Sequence, residues 1–310
     1  MNTRANTLKA IRLDEPEFVP VFDGSVWEAF ELGGNFQWKS FTDHWGVVWQ
    51  AELGGYVPVD VVHPLSDLTK LDAYPWPDPW ALTWTAEDQR RFDAVDRQRK
   101  LVGGLHINFL YERLRCLMGM DNFLVALHEE PDRLRVVIDR IVEYQLVCLR
   151  RLLDLGVDII HIPEDLGTSH DLIMSPEMFR HFILPSYERC FAEIRQRGVR
   201  IDFHTDGAIE RIIPDLIGLG INVLNPVEVT ANDQRRTREL VQGRVAVLGG
   251  INSKIVHTGT VDDVRREVRR AFALWKPGGG WLAGPDQVVI GAPEKNVQAL
   301  WETCWELAEY

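Results

Sequence analysis

The chain has 310 residues, 45% of them hydrophobic, and a formal net charge of −12 at pH 7. This length suits a (β/α)8 barrel, which takes about 250 residues, and the acidic balance argues against nucleic acid or an anionic membrane as the main partner. No apolar run approaches the roughly 18 residues of a membrane-spanning helix, and residues 1–17 show no hydrophobic secretory core. The four cysteines are far apart and form no C-x-x-C motif, so we expect reduced thiols in a cytoplasmic protein.

A first strand is predicted at residues 18–22, and the segment that follows, 27–84, differs from the rest of the chain. It holds seven of the eleven tryptophans and the run PWPDPW at 75–80, and its helical periodicity is weak. One interpretation is a Trp/Pro-rich N-terminal excursion whose tryptophans pack against the side of a barrel. The other is a lid or a dimer contact, because aromatic residues are enriched at interfaces and around ligands.

From about residue 100 onward, short apolar runs alternate with amphipathic stretches, the pattern of βα units around a parallel sheet. Strands are predicted at 101–106, 157–162, 201–204, 221–224, 244–248 and 281–283. Helices are predicted at 131–155, 175–197, 208–220, 261–276 and 293–309. Six or seven such units favour an α/β protein with a closed (β/α)8 TIM barrel, in one domain spanning 1–310.

The segment RIDFHTDG at 200–207 places two chemically active side chains at the end of a buried strand. His204 and Asp206 have the i, i+2 spacing that points both the same way on an extended segment. Glu164 and Asp165 directly follow the strand at 157–162. Because active sites of such folds lie at the carboxyl ends of the strands, these four residues are the candidate catalytic groups. The alternative is a structural role, capping a helix or bonding the barrel rim.

The residues after the other strands extend this rim. The candidates for substrate binding are polar residues that follow strands: Asp23, His106, His170, Asn225 and Asn252. Asp286 follows the last strand, and Lys254 is nearly the only cation. Crowded carboxylates must share a proton, bind a cation or face a cationic substrate, whereas a site for a polycarboxylate or polyphosphate would need clustered arginines.

In order and spacing, several blocks resemble the uroporphyrinogen decarboxylase superfamily, over about 7–307. They are SPEMFRHFILP (175–185), HTDG (204–207), IIPDLIGLGINVLNP (212–226), LGGIN (248–252), TGTVDDVRREV (258–268) and PGGGWLAGPDQVVIGAPEKN (277–296). The resemblance implies a (β/α)8 barrel.

The chemistry that the resemblance implies depends on the branch. True decarboxylases of the family carry an N-terminal MRQAGRY motif whose arginine grips substrate carboxylates, and the corresponding region here, FDGSVWEAFELGG, has no arginine. Corrinoid-dependent methyltransferases carry a zinc site built from H-x-C and a later cysteine. Here the matching positions are His204, Asp206 and, near the later cysteine, Asp286. The resemblance thus implies a metal site of His204, Asp206 and Asp286 with carboxylates in place of thiolates, suited to zinc, iron, manganese or no metal at all.

Three interpretations stay open. The first is a methyltransferase-like enzyme acting on a methylated small molecule, with a corrinoid protein as candidate partner. The second is a decarboxylase acting on uroporphyrinogen or another carboxylate, and the third is a non-catalytic binding protein. A homodimer is compatible with each. Without a metal, His204 and Asp206 would form a general acid and base.

Overall fold

The computed structural model describes residues 2–33, 39–51, 58–105 and 108–310. Its strands are β1 (Trp27–Glu31), β2 (Phe41–Thr42), β3 (Val48–Gln50), β4 (Val59–Val62), β5 (Leu101–Leu105), β6 (Ile159–Pro163), β7 (Arg200–His204), β8 (Val223–Val227), β9 (Ala246–Ile251) and β10 (Trp281–Pro285). Seven of them form a parallel sheet in the order β1-β5-β6-β7-β8-β9-β10. The strands predicted from residue 101 onward are thus confirmed, with bounds shifted by a few residues.

The chain path shows that this sheet is curled. Val21 pairs in parallel with Ala283 of β10, and the backbone N–H of Phe22 donates to the Ala283 carbonyl at 2.8 Å. Residues 20–22 therefore lie beside β10, at one edge of the sheet, whereas β1 forms the other edge. The few residues that connect Phe22 to Trp27 span little more than 15 Å, so the two edges of the sheet must approach each other. In agreement with this, the rings of Phe22 and Trp27 lie 4.7 Å apart. The fold is a curled, TIM-like parallel sheet, in which the predicted strand at 18–22 contributes this bridge.

Helices cover the outside of the sheet. They are α1 (Arg4–Ile11), α2 (Ala86–Asp93), α3 (Tyr111–Met118), α4 (Met120–Glu129), α5 (Pro131–Asp154), α6 (Pro176–Met178), α7 (Leu184–Gln196), α8 (Ile213–Gly218), α9 (Gln234–Val241), α10 (Ser253–Thr258), α11 (Val261–Trp275) and α12 (Glu294–Leu307). A π-helical turn, Phe179–Ile183, joins α6 to α7. It ends two residues before Pro185, which lacks an N–H for the regular hydrogen-bond ladder of the helix.

The helix predicted at 208–220 is shorter than expected. Only Ile213–Gly218 is helical, because the preceding turn is held by other bonds. The N–H of Ala208 donates to the Thr168 carbonyl at 2.7 Å, and the N–H of Ile209 donates to Asn232 Oδ1 at 3.0 Å. Glu210 therefore does not lie in the first turn of this helix, and its Oε1 accepts the N–H of Asp233.

The inside of the curled sheet has an apolar floor. Leu101, Ile159, Val223 and Ala246 each begin a strand, and they form one buried cluster with the α1 side chains, among them Ile11. The floor therefore lies at the amino ends of the strands. Burial of these side chains, at roughly 25 cal/mol per Å² of apolar surface, closes this end and leaves the carboxyl ends for the site.

The segment 27–84 divides into two parts. Its first residues are β1 of the main sheet, and part of the remainder forms a small antiparallel sheet, β2-β3-β4. In this part Trp45 and Trp49 are buried, whereas Trp80 is 68% exposed. Its role as an excursion, lid or dimer contact stays a prediction. Within the described ranges, none of the helices has the length and apolar character needed to span a membrane.

Candidate active site

The alternation of β7 decides which of its side chains reach the interior of the sheet. The ring of Phe203 packs against Tyr187 and Phe191 of α7, with centroids 5.5 and 6.1 Å apart, so Phe203 faces outward. Because successive strand residues point to opposite faces, Asp202 and His204 point inward. This placement agrees with the prediction that His204 lies at the carboxyl ends of the strands.

A cavity of about 680 Å³ opens at these carboxyl ends. Its polar lining includes His161, His204 and Asn225, and apolar side chains such as Trp27 and Ile290 form much of the remaining wall. No lysine or arginine is among the described residues that line it. Such a volume suits a small organic molecule, and the lining offers no cation for a substrate carboxylate.

Asp165, His204 and Asp206 form a cluster beside this cavity. His204 Nε2 lies 3.6 Å from Asp165 Oδ1 and 3.8 Å from Asp206 Oδ1, and all three ligand atoms lie within 4.8 Å of one another. Burial raises the pKa of Asp206 to about 7, with a further contribution from the charge of Asp165. Burial, followed by the charge of His161, lowers the pKa of His204.

The donor set of this cluster fits a divalent cation. It offers one imidazole nitrogen and two carboxylates, a combination that suits zinc, iron or manganese. Asp206 Oδ1 is shielded from solvent and has no hydrogen-bond partner in the described part of the chain. An unpartnered buried oxygen is costly, and either a cation or a proton on Asp206 would offset that cost.

Asp286, predicted as a metal ligand, lines the same cavity. Its two carboxylate oxygens accept the backbone N–H groups of Val229 and Ser253, each at 2.8 Å. Asp286 is 2% exposed and lies outside the cluster of three ligand atoms. It ties the segments after β8 and β9 to the loop after β10. Asp165 completes the cluster with His204 and Asp206, and the ligand role of Asp286 stays a prediction.

Glu164, predicted as catalytic, lies beneath the surface at the start of α3. Its carboxylate accepts the backbone N–H groups of Leu110, Tyr111 and Glu112 at 2.6, 3.0 and 2.8 Å. Burial raises the pKa of Glu164 to about 8, against the lowering effect of these bonds. The residue satisfies the free N–H groups of a helix start, and its catalytic role stays a prediction.

The predicted substrate-binding residues have three outcomes. Asp23 and Asn225 line the cavity. His170 is exposed in a loop, and Asn252 caps α10 by accepting the Lys254 N–H at 3.0 Å. Neither is among the described residues that line the cavity. His106 lies outside the described residues.

Sequence reasoning missed two residues that line the cavity. His161 of β6 hydrogen-bonds through Nδ1 to Asp202 Oδ2 at 2.5 Å, and Gln287 acts to lower the pKa of Asp206 against the effect of burial. A signal for the first pair was present, since Asp202 is a charged residue inside an otherwise apolar strand and such residues are rarely buried without a partner. For Gln287 the sequence carries no comparable signal.

Two glycines bring Asp165 and Asp206 together. Gly207 has φ +84, and a Cβ at this position would lie 2.3 Å from the backbone carbon of Gly167. The N–H of Gly167 donates to the Asp206 carbonyl at 3.2 Å. The loops after β6 and β7 are therefore in backbone contact, which only glycine permits.

The chain is similar to known proteins of one family. Residues 114–307 match the family model described as uroporphyrinogen decarboxylase (URO-D). The chain belongs to this family. A uroporphyrinogen decarboxylase from Saccharopolyspora erythraea is 27% identical over 197 residues, which cover 60% of this chain and 50% of that protein. The chain thus matches about half the length of this URO-D relative.

One solved structure supports the fold of this URO-D family member. A methyltransferase from Methanosarcina mazei has a TM-score of 0.71 at 18% identity, and the match covers 99% of both chains. At this identity the likeness shows a shared fold. A B12-independent methionine synthase from Shewanella sp. W3-18-1 has a TM-score of 0.46 at 13% identity, over 66% of this chain and 60% of that one.

Proposed function

We propose that this URO-D family member is a methyltransferase-type enzyme that acts on a methylated small molecule, with a reduced corrinoid protein as methyl acceptor. The observation that carries the proposal is the chemistry of the cavity. Histidine, asparagine, glutamine and carboxylates supply its polar groups, and the described lining has no arginine or lysine. A porphyrinogen, with its many carboxylates, would meet an acidic mouth without cationic partners, and burying unpaired charge is costly.

The cluster suits removal of a methyl group from a heteroatom. The bond between heteroatom and methyl carbon breaks, its electron pair stays on the heteroatom, and the methyl group passes to the nucleophilic acceptor. The heteroatom then takes up a proton. Asp206, with a pKa raised to about 7, can hold that proton near neutral pH and act as a general acid.

A divalent cation at the same cluster is the alternative to a proton on Asp206, because a carboxylate that binds a metal ion is deprotonated. Asp165, His204 and Asp206 would hold zinc, iron or manganese. When bound, the ion would supply Lewis acidity that stabilises the electron pair left on the heteroatom. Because carboxylates replace thiolates, we expect weaker and less zinc-selective binding than at a site with two cysteines.

Elemental analysis tests the metal. Wild type, His204→Ala and, as a matched control, His128→Ala on the exposed face of α4 are purified without chelators. We expect stoichiometric metal in wild type and control and its loss in His204→Ala. If wild type binds no metal even after zinc, iron or manganese is added, the proposed metal site is wrong, and His204 and Asp206 form an acid–base pair instead.

A methyl-transfer assay tests the reaction. Purified protein is incubated with methyl ethers, methylamines and methyl thioethers, with free reduced cobalamin as the acceptor, and methylcobalamin is followed by its absorbance. We expect its formation with at least one donor class and a loss of about 100-fold or more in Asp206→Asn, the range of general acid–base catalysis. Release of carbon dioxide from a carboxylate substrate without methyl transfer would favour the decarboxylase, and neither reaction would favour a binding protein.

A further inference from the structure

We propose that His161, held by Asp202, is the hydrogen-bond acceptor for an O–H or N–H group on an otherwise apolar ligand in the cavity. The inference rests on the proposed function only in that it concerns the same cavity. It assigns a recognition role to His161 and a positioning role to Asp202.

The first step is the burial of Asp202. Its side chain is 0% exposed, and Oδ2 accepts from His161 Nδ1 at 2.5 Å and from Asn225 Nδ2 at 3.3 Å. Oδ1 has no partner among the described residues. Burial of a carboxylate costs several kcal/mol, so the strong bond to the histidine ring is the main compensation this carboxylate receives.

The second step is the tautomer of His161. A carboxylate can only accept hydrogen bonds, so Nδ1 carries the proton and the lone pair of the neutral ring lies on Nε2. Side chains from two neighbouring strands set this geometry, because His161 of β6 stands in register with Asp202 of β7. The ring is thus held in one orientation from a buried, rigid position.

The third step is where Nε2 lies. His161 lines the cavity and its side chain is 22% exposed. Since Nδ1 faces the buried Asp202, the opposite edge of the ring faces the cavity. No bond to Nε2 is found within the described part of the chain. The wall around it is apolar and partly aromatic, with Trp27 and Leu248 among its members. An acceptor in such a wall recognises a ligand with one hydroxyl or amine on an apolar body.

Phenol and anisole are matched probes for this acceptor. Both are small aromatic molecules, but only phenol can donate a hydrogen bond to Nε2. We expect wild type to bind phenol about three- to tenfold more tightly than anisole, the effect of one neutral hydrogen bond. His161→Phe should abolish that preference, and Asp202→Asn should reduce it. His128→Phe, on the exposed face of α4, should keep it. Calorimetry measures each dissociation constant.

Two further measurements distinguish this role of His161 from an effect of a bound metal and determine the tautomer of its ring. Binding is repeated with chelator, since a phenol preference that depends on a metal at Asp165, His204 and Asp206 disappears with the ion, whereas one that depends on His161 persists. Nitrogen-15 NMR of histidine-labelled protein, assigned with His161→Phe, reports the tautomer directly. A proton on Nε2 of the neutral ring, equal affinities for the two probes, or no binding of either would overturn the inference. Failure of methyl transfer would leave it standing.

Discussion

At the scale of single residues, the carboxylates at the rim differ in what their oxygens contact. Asp286 and Glu164 have the expected residue type and follow strands, yet their oxygens are occupied by backbone N–H groups. Asp165 and Asp206 keep oxygens directed at His204. Acidic side chains thus hold backbone N–H groups in one pair and face the histidine in the other.

This difference yields a prediction for metal binding. Asp165→Asn should lower the metal affinity by about tenfold or more, since it removes a charged ligand. Asp286→Asn should leave that affinity unchanged but lower the free energy of unfolding by about 1–3 kcal/mol, because a carboxylate that accepts two backbone bonds is replaced by an amide. Metal titration and urea unfolding of both variants measure these effects. The opposite pattern would restore Asp286 as the ligand.

At the scale of elements, the loops after β6 and β7 must touch for the cluster to form. Gly207→Ala should lower the free energy of unfolding by roughly 2–5 kcal/mol, because strain at positive φ adds to a collision with backbone that cannot move aside. The control is Gly156→Ala, which has φ +78 but no atom within 4 Å of the added Cβ and should cost about 1–2 kcal/mol. Equal losses in urea unfolding would show that the close contact is not what requires glycine.

The attachment of α1 to the sheet predicts a pH dependence. Arg4 Nη2 lies 2.6 Å from Asp158 Oδ1, and Oδ2 accepts the Val102 N–H at 3.0 Å. Burial alone would raise the pKa of Asp158, but these bonds outweigh it and hold the pKa below its usual value. The stabilisation is therefore complete above about pH 4, the unfolded pKa, and is lost as the pH falls through the folded value.

Asp158→Asn should accordingly lower the free energy of unfolding by about 1–3 kcal/mol at pH 7, and the difference from wild type should shrink below about pH 4. Urea unfolding at pH 7 and pH 3 measures it. Asp132→Asn, whose side chain is 97% exposed, should change stability by less than about 0.5 kcal/mol. A loss in Asp158→Asn that is independent of pH would show that the charge is not involved.

At the scale of the whole molecule, the acidic charge and the closed apolar floor are the features on which the proposed substrate class rests. The net charge is −12, the floor is sealed by α1, and the cavity opens at the acidic end of the sheet. We expect purified protein to release no coproporphyrinogen from uroporphyrinogen under conditions in which a uroporphyrinogen decarboxylase run in parallel converts it fully. Chromatography of the oxidised porphyrins measures this. Efficient conversion would contradict the substrate class proposed here.

The periodicity of the sequence was sufficient to predict the parallel strands from residue 101 onward and the polar residues that follow them. Apolar alternation and glycine placement act over a few residues, so the strand at 201–204 and the position of His204 at its end could be predicted locally. The helix at 208–220 could not, because bonds from distant loops hold its first half in a turn.

Only the tertiary structure decided which of the rim residues form the site. A sequence places Asp165, Asp206 and Asp286 after strands, but it does not state which loops touch or which oxygens meet backbone N–H groups. The pairing of His161 with Asp202 likewise depends on the register of two neighbouring strands. Side-chain direction follows from local alternation along one strand, whereas distances between strands follow from the curl of the whole sheet. The residue types at the rim could therefore be predicted from the sequence, whereas the tertiary structure determined which partners they contact.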